Sequence, residues 1–139
     1  MKFRDALILV QAALMIPVVE VLLRKKGVRV CSIILNKLSL RRNLEPPSSK
    51  DFVTANRTAE LVKEANSKLS IYPADCVTRS LVLQHFLRRQ GIESELRLGV
   101  RTITGQFEAH AWIEFLGVPL AEDYAVQDIY VYLDWNMGK

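Results

Sequence analysis

Cys76, His110 and the neighbouring acids Glu122 and Asp123 are the residues of this 139-residue chain whose types and order could together carry out covalent chemistry. A thiol attacks carbon only as the thiolate, and the stretch ADCVTRSLVLQHFLRRQG predicts a helix that starts near Asp75 or Cys76 and stops at Gly91. Unsatisfied amides and the macrodipole at such a helix start favour an anion and lower a thiol's pKa. His110 follows 34 residues later in the middle of an alternating segment. There it is able to lie against the helix N-terminus. A Cys and His pair needs a third group to fix the imidazole tautomer, and Glu122 and Asp123 stand at the end of the next short strand. Taken singly, a cysteine is more often an inert core residue and a histidine a satisfied, partly buried one, so the argument rests on their order. Cys31, in an apolar helix without polar company, takes the inert reading. His85 reads as a surface or packing residue, because nine helical residues place it about 13 Å along the axis from Cys76.

The elements around these residues follow from periodicity. Ser49 or Asp51 opens a helix through about Asn66, with Phe52, Ala55, Ala59, Leu61, Val62 and Ala65 at helical spacing. In the Cys76 helix, Leu81, Leu83, Phe86 and Leu87 face a core, with Arg88 and Arg89 in the last turn. Ile92 to Arg101 alternates as a half-buried strand, and Thr104, Gly105 and Gln106 supply a turn. Phe107 to Phe115 alternates again, with Phe107, Ala109, Ala111, Ile113 and Phe115 on one face and His110 and Trp112 on the other. Leu116 and Gly117 turn the chain into a short strand, Val118 to Ala121, and the alternation Ile129, Val131, Leu133, Trp135 fits a further strand or a closing helix. Together these describe an α+β fold in which a Cys-bearing helix packs on a small antiparallel sheet.

The front of the chain differs in composition. Residues 1–50 hold ten Lys or Arg against three acids, a net of +7, and residues 51–139 hold nine against twelve, a net of −3. Such a basic, apolar front suits a membrane surface or an acidic partner as well as a solvated rim. Nucleic acid is disfavoured, because no interleaved aromatics or binding motif accompany the charge. Ala6 to Leu23 is apolar apart from Gln11, Pro17 and Glu20, which is the lower edge of membrane-span length. Pro17 would interrupt the ladder and Glu20 would cost about 3 kcal/mol at mid-bilayer. Two packed helices joined near Pro17, the second ending at Gly27, are therefore expected rather than a span. A third helical stretch, Val30 to Leu38, leads into a linker marked by Pro46, Pro47, Ser48 and Ser49. Residues 1–45 read as a basic helical region and 46–139 as the catalytic core of one compact domain. Two cysteines are too few for a structural zinc cage or a disulfide scaffold, so no metal, no cofactor and a cytoplasmic setting are expected.

The order of Cys helix, strand, His strand and acid strand resembles the transglutaminase-like, papain-like cysteine hydrolase core. Within it, CVTRSLVLQHFLRRQGIESELRLGV and AHAWIEFLGVPL are similar to the lasso peptide leader peptidases, the B2 proteins of lasso peptide biosynthesis. The matching pieces are Arg79, Ser80 and Leu81 after the cysteine, the Gly91 and Ile92 step, Leu96 to Val100, and His110 to Trp112. The resemblance covers roughly residues 52 to 125. It implies a Cys76, His110, Asp123 triad, with Asp123 favoured over Glu122 because the family uses Asp, and with strand register deciding which acid faces His110. It also implies cleavage of the leader from a ribosomally made precursor peptide before cyclisation. The chain is too short to carry the leader-recognition domain fused to larger relatives, so a separate leader-binding protein and a lasso cyclase are the expected partners. Acyl transfer or deamidation on the same triad, and an inactive peptide-binding module, remain open alternatives. The amide of Cys76 is a candidate oxyanion donor, and Tyr72 and Trp112 are candidate site-lining aromatics.

Overall fold

The computed structural model describes residues 3–38, 49–69, 75–122 and 126–133. Pro46, Pro47, Ser48, Tyr72, Asp123 and Trp135 lie outside the described residues. The element order is α1 (Phe3–Leu38), α2 (Ser49–Glu64) continued by a π-helical turn (Ala65–Leu69), α3 (Cys76–Arg89), β1 (Glu95–Ile103), β2 (Gln106–Phe115), β3 (Val118–Pro119), α4 (Val126–Ile129) and β4 (Val131–Leu133). The fold is α+β, with a sheet in the order β3-β2-β1-β4 whose neighbouring strands all run antiparallel.

In α1 the structure departs from the expected break at Pro17. Helix continues through Pro17, and the departure from helical geometry falls at Gly27, with φ 84° and ψ 168°. Proline costs about 3 kcal/mol inside a helix. Here Pro17 is exposed, while Ile8, Leu9, Ala12, Ile16 and Val19, on both sides of it, are buried along the opposite face. Each large apolar side chain so buried contributes roughly 1.5–3 kcal/mol, which outweighs the lost hydrogen bond. These five residues share one core with Ala55, Ala59, Leu61 and Val62 of α2, Leu81, Val82, Phe86 and Leu87 of α3, and Ala111, Ile113 and Phe115 of β2.

The stop at Gly91 has a hydrogen-bonded cause. Gly91 N–H donates to Arg88 O and Ile92 N–H to Leu87 O, the paired bonds of a Schellman cap, with Leu87 and Ile92 both buried. The strands are joined by two tight two-residue turns, Thr104–Gly105 and Leu116–Gly117, whose central residues all have positive φ. That is the turn geometry whose twist suits an antiparallel hairpin. β1 starts at Glu95, three residues later than the alternation suggested, and β3 stops at Pro119 rather than Ala121.

The second face of the sheet is covered too. Gly99 of β1 is buried because Trp112 and Tyr130 pack on its backbone. A Cβ there would meet Tyr130 Cβ at 2.6 Å and the Trp112 ring at 2.8 Å. Trp112, Val126 and Tyr130 form a small second core. Glu114, almost wholly buried, organises its rim by accepting from Trp112 Nε1 at 2.8 Å, Tyr132 Oη at 2.7 Å, Gln127 Nε2 at 3.0 Å and Arg97 Nε at 3.3 Å. Burial pushes its pKa up, but these four donors together hold it below the ordinary carboxylate value.

Candidate active site

Cys76 is the first residue of α3. Asp75 caps the helix by accepting from Thr78 N–H at 3.0 Å, and Asp75 O accepts Arg79 N–H at 3.2 Å. Such a cap is worth about 1 kcal/mol and fixes where the helix begins. It leaves the Cys76 side chain, half-buried, at the edge of β2. Among the described residues β3 pairs only with Glu114 and Phe115, and beyond it the outward backbone of β2 has no strand neighbour. Ala111 N–H fills that vacancy by donating to Cys76 Sγ at 3.3 Å.

His110 precedes Ala111 in β2, opposite Gly99, with its side chain on the aromatic face. Its Nε2 lies 3.0 Å from Glu122 Oε1, and its ring also hydrogen-bonds the Cys76 thiol. With Nε2 committed to Glu122, Nδ1 is the nitrogen left for the sulfur. The imidazole stacks on Trp112 at 5.8 Å and on Tyr130 at 5.4 Å between ring centroids. Tyr130 is itself anchored through its hydroxyl, which donates to Glu108 at 3.0 Å.

Glu122 is positioned from three directions. Leu120 N–H donates to Ile113 O at 2.9 Å, carrying the β2 edge contact past β3. Ala121 turns the chain with a left-handed φ of 52°, and its carbonyl accepts from Lys63 Nζ of α2 at 3.4 Å. The carboxylate is then about nine-tenths buried beside His110. The structure thus brings Cys76, His110 and Glu122 together, while Asp123, the acid favoured by resemblance, lies outside the described residues. Trp112 lies beside the site under His110, and Tyr72 is outside the described residues.

The electrostatics follow from this geometry. For Cys76, burial raises the thiol pKa, but the His110 hydrogen bond, the Ala111 amide and the imidazolium charge outweigh it and bring it below 9.0, even with Asp75 nearby opposing. The His110 pKa is raised to about 9 by its bonds to Cys76 and Glu122, against the burial that would lower it. The opposite shifts of thiol and imidazole favour the thiolate–imidazolium form of this coupled pair over the neutral one. Cys31 behaves oppositely: it is fully buried, and desolvation raises its thiol pKa. His85 is buried, not on the surface, against Phe86, and its ring bonds the backbone of Leu35. It joins α3 to α1 and takes no part in the site.

Two contributors escaped the sequence reading. Tyr130 stacks on the imidazole, and Gly99 makes the room for it. Tyr130 falls between Ile129 and Val131 of the last alternation, which says that it faces away from them but not that it meets His110. A Gly inside an alternating strand, by contrast, is the usual mark of a close approach.

Among the described residues, no group of three or more His, Cys, Asp or Glu side chains could hold a metal ion. A thiol whose pKa is lowered, an imidazole whose pKa is raised and a buried carboxylate in line are equipped for nucleophilic attack on an acyl carbon followed by proton delivery to the leaving group. A family model described as the transglutaminase-like superfamily matches residues 17–133. No curated protein and no solved structure matches the chain.

Proposed function

This chain belongs to the transglutaminase-like superfamily, a superfamily that includes cysteine peptidases and acyltransferases, and from that premise we propose that it is a cysteine peptidase acting through Cys76, His110 and Glu122. The observation that carries the reading is the thiolate site itself, Cys76 Sγ receiving Ala111 N–H while bonded to an imidazole whose far nitrogen lies 3.0 Å from a buried carboxylate. Cys76 attacks the scissile carbonyl, and the negative charge moves from sulfur to the carbonyl oxygen. The Cys76 amide, at the start of α3, is placed to receive it. His110 then gives its proton to the departing amine, leaving a thioester. Water, deprotonated by the now neutral imidazole, hydrolyses that thioester and regenerates the thiol. Glu122 holds the ring in the tautomer these steps need and stabilises its charged form.

The substrate we assign is the leader–core junction of a lasso peptide precursor. Support for it comes from the Arg79–Leu81, Gly91–Ile92, Leu96–Val100 and His110–Trp112 pieces shared with the leader peptidases. In this reading a separate leader-binding protein presents the precursor, and a lasso cyclase consumes the freed N-terminal amine in the cytoplasm. The test is incubation of the full chain with precursor and leader-binding protein, followed by mass spectrometry. The expected product is the core peptide with a free N-terminus, absent with Cys76→Ala and with His110→Ala. Leader release at normal rates by either variant contradicts the peptidase assignment. Amine incorporation without cleavage points to acyl transfer on the same triad.

A further inference from the structure

The N-terminal helix has a second apolar face that the core does not use. Phe3, Leu7, Val10, Leu14, Val18 and Val21 recur every three or four residues, and each is between 45% and 83% exposed. The buried set Ile8, Leu9, Ala12, Ile16 and Val19 occupies the opposite side of the same helix. The exposed stripe runs for 18 residues beyond its first member, about 27 Å at the helical rise. Described surfaces of soluble chains rarely leave an apolar strip of that length to water. By length and composition Phe3–Leu35 also meets the requirement for crossing a membrane. A crossing would, however, strip the buried side from the core, whereas the exposed stripe is accessible with the fold intact.

Charge identifies the occupant. Lys25 continues the stripe one turn past Val21, and Arg24 and Lys26 flank it, all three exposed, with exposed Arg4 at the other end. The two acids of this stretch are tied inside the molecule: Asp5 accepts from Arg57 at 3.1 Å and Glu20 from Arg24 at 3.2 Å. A second copy laid on the stripe, parallel or antiparallel, would set basic end against basic end. An anionic lipid surface complements both the apolar strip and its cationic ends. We propose that α1 is an interfacial helix, lying along an anionic phospholipid bilayer with Phe3, Leu7, Val10, Leu14, Val18 and Val21 in the acyl boundary and Lys25 and Lys26 at the headgroups. The catalytic core would then sit on the membrane surface without spanning it.

The test is flotation of the full-length protein with vesicles of phosphatidylglycerol and phosphatidylcholine, compared with phosphatidylcholine alone. Flotation needs no turnover, so its outcome is independent of whether the chain cleaves a leader. The expected result is recovery with the anionic vesicles, weakened roughly tenfold or more by Lys25→Gln with Lys26→Gln and by 0.5 M salt. Leu14→Glu with Val18→Glu should abolish it while leaving the circular dichroism and the alkylation rate of Cys76 unchanged, since both side chains point away from the core. Failure of the wild type to float with anionic vesicles overturns the proposal. Equal flotation of the Glu variant also overturns it, as does a dimer that the Glu variant dissociates while vesicle recovery stays the same. The last outcome would assign the stripe to a second copy.

Discussion

A sulfur that accepts Ala111 N–H and bonds the His110 ring ionises more readily than burial alone would allow, and the ring holds its proton more tightly because Glu122 lies on its other nitrogen. Glu122→Gln keeps the side-chain shape but removes that charge, and it should lower the rate of peptide cleavage by roughly 10²- to 10⁴-fold. Asp123→Asn should stay within a few-fold of wild type in the same kinetic assay. The reverse ranking would transfer the third role to Asp123. Asp75 has two separable effects on the thiol, since it caps α3 yet its charge opposes ionisation of Cys76. Asn caps as well as Asp. Asp75→Asn should therefore leave thermal stability nearly unchanged while the thiol ionises at lower pH, as read from the absorbance of the thiolate. For Tyr130, stacking on the protonated ring is worth about 0.5–2 kcal/mol. Tyr130→Phe should keep the His110 pKa, and Tyr130→Ala should bring it down from about 9, as followed by the histidine proton resonances.

At the level of elements, what the sequence made legible was what local physics decides. Asp75 ahead of an apolar-periodic run, Gly91 behind it, and alternation with His110 and Trp112 opposite Ala111 and Ile113 fixed the helix and both long strands to within a few residues. In α1 the end expected at Gly27 is where the helix breaks, but the joint expected at Pro17 is absent, because a proline penalty is local whereas the burial that overrides it comes from α2 and α3. The placing of Glu122 beside His110 depends on the turn at Ala121, whose left-handed φ no residue-type preference announces. Gly99 could have been read as a close approach, but nothing local says that Tyr130 is what approaches. Gly99→Ala forces a methyl into Tyr130 and Trp112, and since overpacking costs typically 1–3 kcal/mol it should lower the unfolding free energy by about that much. Because the displaced rings are those that stack on His110, cleavage should fall as well. An unfolding midpoint equal to wild type would show that the second face yields more easily than the contacts require.

Across the whole molecule, one buried carboxylate and one shared core join the parts. Glu114 is held below 4.5 in the folded chain, so its contribution to stability is present above pH 4.5 and is lost as the pH falls through the lowered value. Thermal melts should show a decline in stability on that side, with Glu114→Gln less stable at neutral pH by about 3 kcal/mol and less sensitive to acid. Since α1, α2, α3 and β2 contribute to a single core, Ala12→Asp, at a fully buried position of α1, should destabilise the site along with the helix. The site itself exists only in the folded chain, which brings α3, β2 and the segment after β3 to one sheet edge. Its most direct test is the pH dependence of iodoacetamide alkylation at Cys76, mapped by mass spectrometry in wild type, His110→Ala and the urea-unfolded chain, with buried Cys31 as an unreactive control in the folded forms. The account predicts that native Cys76 titrates at a lower pH than the same thiol in the unfolded chain, and that His110→Ala moves the native midpoint upward. A native curve that matches the unfolded one, or one that His110→Ala leaves in place, would contradict it.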